Sequence, residues 1–226
     1  MAPKKRTKTS TKQKKKNWYV VIAPDLLGGG EVGEVLAVTG SDLVGKHVEY
    51  NLMHLIRDPK KQHILVKFKI NDFKDNRAYT EIVQYKIMPA SIKRFVRRGK
   101  DRIDDSVYFR TADKKIVQIK PFITTRSNTT RAVLSDIRKS VREFIAHYLQ
   151  KHNYSALVKD IISGKFQAQI RQLVKKIYPV NTVEIRVMKL VDASRRIKSV
   201  YEVKESPSQV QGRRRVNRKQ QKTVKK

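Results

Sequence analysis

From His63 to Asn71 the chain alternates without a break: Ile64, Val66, Phe68 and Ile70 fall on every second position, with Lys67 and Lys69 between them. A repeat of two puts all four apolar side chains on one face of an extended strand, whereas a helix would scatter them. The same period runs from Lys46 to Ile56 through Val48, Tyr50, Leu52 and Ile56, with His54 filling one place, and a third strand is expected from Ala78 to Ile87. The polar turn at Asn71 to Asn76 is too short for the crossover that parallel pairing needs, so these strands are expected to pair antiparallel. Trp18 to Ala23 is an earlier apolar run, stopped by Pro24 and then by Gly28-Gly29-Gly30.

Beyond Met88-Pro89, which breaks the sheet, Ala90 to Arg98 reads as a short helix. Ile92, Phe95 and Val96 lie on one side, and Gly99 is placed to end it. Ser106 to Thr111 and Lys115 to Ile123 flank Ala112-Asp113-Lys114 as a hairpin. The period then changes. Leu134, Ile137, Val141, Phe144, Ile145 and Tyr148 recur every three or four residues and predict an amphipathic helix with Arg131, Arg138, Lys139 and Arg142 outward. Two further helices are expected, Tyr154 to Ser163 ending at Gly164 and Lys165 to Tyr178 stopped by Pro179. A last strand, Asn181 to Leu190, sets Val183, Ile185 and Val187 against Glu184, Arg186 and Met188. Strands first and helices later describe an α+β fold, an antiparallel sheet or open β-barrel covered by three to four helices, with disordered basic termini.

Charge bounds what such a fold can do. The chain carries 52 Lys and Arg against 20 Asp and Glu, a formal net charge of +32 over 226 residues. Self-repulsion on this scale opposes compaction, so the expected setting is beside a dense polyanion, of which nucleic-acid phosphate is the commonest. Residues 1–17 hold eight cations and no acid, as do residues 206–226. Both stretches lack periodic apolar residues and are expected to be disordered arms. Residues 18–205 hold 36 cations and 20 acids and are expected to form a single, still basic, RNA-binding domain.

Other functions find little support in the residues. The chain has no cysteine, which excludes disulfides, thiolate metal sites and a cysteine nucleophile and fits a reducing compartment. No apolar run reaches membrane-spanning length, and the basic N-terminus leads into Asn17-Trp18-Tyr19 without a signal-peptide core, so a cytosolic or nuclear protein is expected. Gly28-Gly29-Gly30-Glu31-Val32-Gly33 satisfies the letters of a dinucleotide fingerprint. Yet Pro24-Asp25-Leu26-Leu27 separates it from the preceding strand and no βαβ unit follows, so a flexible loop is expected. His47, His54, His63, His147 and His152 have no ligand spacing. Neither a catalytic residue nor a cofactor or metal is expected.

Three clusters concentrate cations beyond the needs of solubility. Lys12, Lys14, Lys15 and Lys16 abut Trp18, where ammonium groups can neutralise phosphates; Trp18 itself is either a stacking platform for a base or a core anchor. Lys93, Arg94, Arg97, Arg98, Lys100 and Arg102 form the second, and arginines there can grip phosphate bidentately. The third, Arg126-Ser127-Asn128-Thr129-Thr130-Arg131, combines hydroxyls, a helix N-terminus and two arginines into a phosphate seat. Arg138 and Lys139 extend it along the helix, and Arg213, Arg214 and Arg215 supply the C-terminal arm.

At this point the residues resemble a known family. Trp18-Tyr19-Val20-Val21-Ile22-Ala23-Pro24 after a lysine run is similar to the opening of the archaeal and eukaryotic small-subunit ribosomal protein family S-one-e, S-three-a-e in older usage. Further matches follow in order: Val66-Lys67-Phe68-Lys69-Ile70, Ser91-Ile92-Lys93-Arg94-Phe95-Val96-Arg97-Arg98, Arg110-Thr111-Ala112-Asp113, Asp136-Ile137-Arg138-Lys139, and Ile177-Tyr178-Pro179-Val180 leading to Val183-Glu184-Ile185-Arg186. The likeness runs from about residue 14 to 190, and departs where the family has a glycine in the turn that holds Lys114 here, and another near Tyr85-Lys86. The Ala-Pro-Asp-Leu-Leu-Gly stretch leans toward the archaeal form. The resemblance implies a structural, non-enzymatic component of the cytoplasmic ribosome. It implies binding to small-subunit rRNA at the platform near the mRNA exit region, beside neighbouring ribosomal proteins and mRNA near the exit channel, with no membrane partner. A chromatin-type DNA binder or a free RNA binder shares the charge and the arms and is the alternative.

Overall fold

The computed structural model describes residues 15–191 together with Val200 and Tyr201. Lys12, Lys14, Arg213, Arg214 and Arg215, and with them most of both expected arms, lie outside the described residues. The chain divides into two compact units, Met1–Ile92 and Lys93–Lys226. Nine strands and five α-helices occur among the described residues, the α+β composition expected.

In the first unit the strands are β1 (Asn17–Ile22), β2 (Glu31–Ala37), β3 (His47–Asn51), β4 (Ile64–Lys74) and β5 (Arg77–Ile87). β3, β4 and β5 pair antiparallel in sequence order; β4 runs on to Lys74 through most of the expected Asn71–Asn76 turn, which contracts to Asp75 and Asn76, and the short turn joins β4 to β5 alone. The alternation of β4 holds in full: Ile64 is 6% exposed, and Val66, Phe68 and Ile70 are fully buried. Burying four such side chains contributes about 1.5–3 kcal/mol each before the entropy of ordering is counted. β1 adds parallel to the first residues of β5, Val20 to Ile22 against Arg77 to Tyr79, and antiparallel to β2. The long excursion through β2, β3 and β4 supplies the crossover that this parallel contact needs.

Two further expectations change here. The Lys46–Ile56 strand ends at Asn51, and Leu52–Ile56 is a helical turn, α1. Asn51 caps it, its Oδ1 accepting the Met53 N–H at 3.0 Å while its Nδ2 donates to the Gln62 carbonyl at 2.8 Å. Leu52 and Ile56 are four apart as well as two steps of two, so the same letters fit both periods. The second correction concerns the glycines. Gly28 and Gly29, at φ +89° and +62°, turn the chain, and the rest of the expected loop is the start of β2. A register shift between Val21 and Ile22 breaks the alternation that would have announced that strand.

In the second unit, β6 (Arg102–Asp104) and β7 (Val107–Arg110) lie end to end along one edge of β8 (Ile116–Thr125), and β9 (Val180–Val191) pairs along the other. β8 therefore carries ladders on both sides, yet contains Pro121, which has no N–H. The strand tolerates it because Pro121 faces the gap between β6 and β7, and because the β9 register shifts between Lys120 and Pro121. That shift leaves Arg186 as the extra residue of β9 and reverses the strand's phase. Val183 and Ile185 are buried as expected, but past Arg186 it is Met188 that is buried, not Val187.

The helices are α2 (Pro89–Phe95), α3 (Arg131–Lys151), α4 (Tyr154–Ser163) and α5 (Lys165–Lys175). The unit boundary falls within α2, which stops at Phe95, three residues short of the expected end. α5 likewise stops before Tyr178. α5 packs on β9, α3 and α4, with Phe166 at 4.9 Å from Tyr148 and 6.1 Å from Phe144 between ring centroids. The β7–β8 hairpin tip ties the helices down: Ala112 N–H donates to the Leu149 carbonyl at 3.0 Å, and Asp113 accepts the Tyr154 N–H at 3.0 Å. Lys114 sits in that turn at φ +61°, the left-handed conformation that the family's glycine adopts without strain.

Candidate nucleic-acid interface

The second and third basic clusters are 24 or more positions apart in sequence, and the fold joins them through Asp101. Its N–H donates to Thr125 Oγ1 at 2.8 Å, its carbonyl accepts the Thr125 N–H at 3.0 Å, and its carboxylate accepts the Thr129 N–H at 2.7 Å. The adjacent Arg102 is paired with Thr124 in the β6–β8 ladder. Lys100 and Arg102 are thereby held beside Arg126, Ser127 and the start of α3 at Arg131. The loop is pinned again on its other side. Arg126 N–H donates to the Pro179 carbonyl at 3.1 Å, and Ser127 Oγ lies 2.8 Å from the Tyr178 hydroxyl. Thr130, which precedes α3, makes no side-chain cap.

Three acids lie beside β6, at 101, 104 and 105, and each is committed to the scaffold, while a fourth, Asp136, is exposed on α3 between Arg131 and Arg138. Asp101 takes the Thr129 N–H. Asp104 accepts from Arg186 at 2.7 Å. Asp105 grips Arg142 of α3 with two bonds, Nε to Oδ2 at 2.5 Å and Nη2 to Oδ1 at 3.0 Å. Arg142 is therefore not part of the outward face expected for α3; it is half-buried and fastens the helix beside β6 and β7. Burial pushes the Asp105 carboxyl up, but hydrogen bonds from Arg142 and the Ser106 N–H, with the charges of Arg142 and Arg138, hold it below the usual carboxylate range. Arg142 is raised in turn, chiefly by the same hydrogen bond.

Lys93, Arg94, Arg97, Arg98, Arg102, Arg126 and Arg131 are exposed, Lys139 too, while Lys100 and Arg138 are half-buried. Seven residues separate Arg131 from Arg138, so they share a face of α3 two turns apart. The result is a cation-rich surface on a strand edge, a helix start and a loop, with the acids at 101, 104 and 105 turned to other work. Such a surface can neutralise consecutive phosphates.

The first cluster is in the other unit. Lys15 and Lys16 are exposed at the head of β1, and Trp18 is 65% exposed, which settles against a core anchor; its neighbour Tyr19 is the buried one, edge-on to Phe73 at 5.2 Å. Sequence reasoning passed over Arg77 and Tyr79, which the parallel β1–β5 register brings beside Val20 and Ile22. No local signal marks them, because a parallel contact between segments more than fifty residues apart leaves no trace in either. Among the described residues no group of three or more His, Cys, Asp or Glu could hold a metal, and no helix is long and apolar enough to cross a membrane.

Comparison with known proteins gives the family. The family model described as Ribosomal S3Ae matches residues 4–194. Among curated relatives, the small ribosomal subunit protein eS1 of Methanoculleus marisnigri is 31% identical over 177 residues, covering 78% of this chain and 90% of its own. Its namesake in Archaeoglobus fulgidus is 30% identical over 194 residues, 84% of this chain and 92% of that one. The eS1 protein of Methanothrix thermoacetophila is 31% identical over 173 residues, 76% and 82% respectively.

Proposed function

The chain belongs to the Ribosomal S3Ae family, and from that membership we propose that it is a structural, rRNA-binding component of the small ribosomal subunit, seated on the platform near the mRNA exit region. The family is one of structural ribosomal proteins, for which rRNA and neighbouring ribosomal proteins are the partners and the ribosome in the cytoplasm is the place of work. The observation that carries the rRNA reading is the Asp101 junction, which turns two distant basic clusters into one surface. On it Lys93, Arg94, Arg97, Arg98, Lys100 and Arg102 contact phosphates from one side, and Arg126, Ser127, Arg131, Arg138 and Lys139 from the other. Residues 18–205 act on the RNA together as one binding body. Lys12, Lys14, Lys15 and Lys16 with Trp18, and Arg213, Arg214 and Arg215, extend the contact into the arms, which gain phosphate contacts at an entropic cost. The mRNA leaving the subunit passes within reach.

Sedimentation of the tagged chain from lysate tests the assignment. It should co-migrate with small subunits and whole ribosomes at moderate salt and be stripped in part at high salt, and crosslinks should fall near the 3′ end of the small-subunit rRNA. Absence from every ribosomal fraction would overturn the reading, and a preference for duplex DNA over folded rRNA would favour a chromatin-type role. Crosslinks confined to another region of the rRNA would remove the platform position while keeping the family role.

A further inference from the structure

The pairing registers of β1 assign one face of its sheet to exposed apolar and aromatic side chains. Tyr19 and Val21 point into the core, at 8% and 0% exposure, so Trp18, Val20 and Ile22 point the other way. Direct partners across a ladder share a face, which puts Leu36 beside Trp18 and, on β5, Arg77 beside Val20 and Tyr79 beside Ile22. Trp18, Leu36 and Tyr79 are 65%, 40% and 42% exposed. Large apolar side chains in this proximity on a sheet, rather than scattered singly, mark a surface that is covered in use.

We propose that this face of β1, β2 and β5 is a stacking platform for unpaired RNA nucleotides, a reading that rests on the rRNA-binding role and names the form of RNA taken here. Two bases stack on Trp18 and Tyr79, which strand geometry sets about 14 Å apart, and Leu36 and Ile22 cover sugar and base edges. Arg77 and, at the head of β1, Lys15 and Lys16 meet the phosphates; Glu34 opposite Val20 and Glu31 opposite Ile22 lie on the same face and limit how many can be held, while Asp72, opposite Tyr79, is paired with Lys74 at 2.9 Å. Aromatics interleaved with cations suit exposed π-faces and a polyanionic backbone at once, and a duplex, whose bases are stacked inside, offers only the backbone. An apolar protein partner would have no use for the cations that border the patch.

Trp18 is the chain's one tryptophan, so its emission reports on this face alone. The full chain is titrated with a mixed-sequence single-stranded RNA octamer and, separately, with an RNA duplex of equal phosphate content. The single strand should quench Trp18 and the duplex should not, and Tyr79→Ala should weaken single-strand binding about 5- to 50-fold while leaving the salt dependence unchanged. Equal quenching by both RNAs, or none by the single strand while rRNA binding persists, overturns the platform and leaves the ribosomal role intact. Loss of all RNA binding in the wild-type chain overturns both. Trp18 shielded in assembled subunits by protein crosslinks instead of RNA crosslinks also overturns it.

Discussion

The two surfaces proposed to meet RNA are built by opposite means. In the second unit, cations crowd a helix start and a strand edge, and the acids at 101, 104 and 105 are absorbed by the scaffold. In the first, a sheet face carries Trp18, Tyr79 and Leu36, with Arg77 beside Val20 and lysines at its border. The former can read a phosphate backbone in any helical RNA; the latter gains from bases that are already exposed. Charge alone does not distinguish these two kinds of surface.

The sharpest way to break this comparison is to remove the cations of one surface. Arg97, Arg98 and Arg102 replaced together by alanine should lower rRNA-fragment affinity on the order of 100-fold and reduce the salt slope by about 3, one for each lost phosphate contact. Trp18→Ala should weaken single-strand binding without moving that slope. If both variants change the slope alike, the surfaces are not different in kind.

Next in size is the fastening of α3. Asp105→Ala leaves the half-buried Arg142 without its bidentate partner and should cost about 2–3 kcal/mol in denaturant unfolding. Part of that loss should already appear in the wild-type chain as pH falls through the depressed pKa of Asp105, where the protonated carboxyl no longer holds Arg142.

Glu184 supplies a control that should change stability and leave RNA binding alone. Burial raises its pKa to about 7 against the pull of Arg171. The folded state then holds a proton that the unfolded state has released, so stability declines as pH rises from about 4.5 to 7. Glu184→Gln should therefore stabilise the chain by about 1–2 kcal/mol above pH 7, discounted for its half-exposed position, and the gain should vanish below about pH 4.5. A gain that is the same at every pH would disprove ionisation as its source.

The smallest effect is the most diagnostic. Asp101→Ala removes an acid from a basic surface, which by charge alone should tighten RNA binding. Because Asp101 joins the two clusters, affinity should instead fall about 5-fold, equivalent to about 1 kcal/mol, the scale of one lost hydrogen bond. Tighter binding would show that the junction does not matter to the interface.

Much of the molecule was legible before any coordinates. The β4 pattern and the α3 stripe each repeat over enough residues to exclude the other period, and both elements formed, β4 running on to Lys74 past its expected end at Asn71. What failed was local in cause: Asn51 capping a turn whose spacing suits both periods, and glycines that turn the chain into a strand with a broken alternation. Of the site, the exposed arginines of the second and third clusters were readable as charge, but Arg142 was not distinguishable from Arg138 until Asp105 was seen opposite it.

The sequence by itself determined the types of the long periodic elements, the family and the polyanionic partner, because hydrophobic period, motif order and net charge are sums over neighbouring residues. Only the tertiary structure decided which cations lie together, which face Trp18 occupies and where β9 reverses its phase. Those depend on a carboxylate meeting an N–H 28 positions away, on a parallel register between distant strands, and on a proline opposite a gap in the next ladder. Such contacts are fixed by backbone groups that every residue carries alike, so no local pattern announces them.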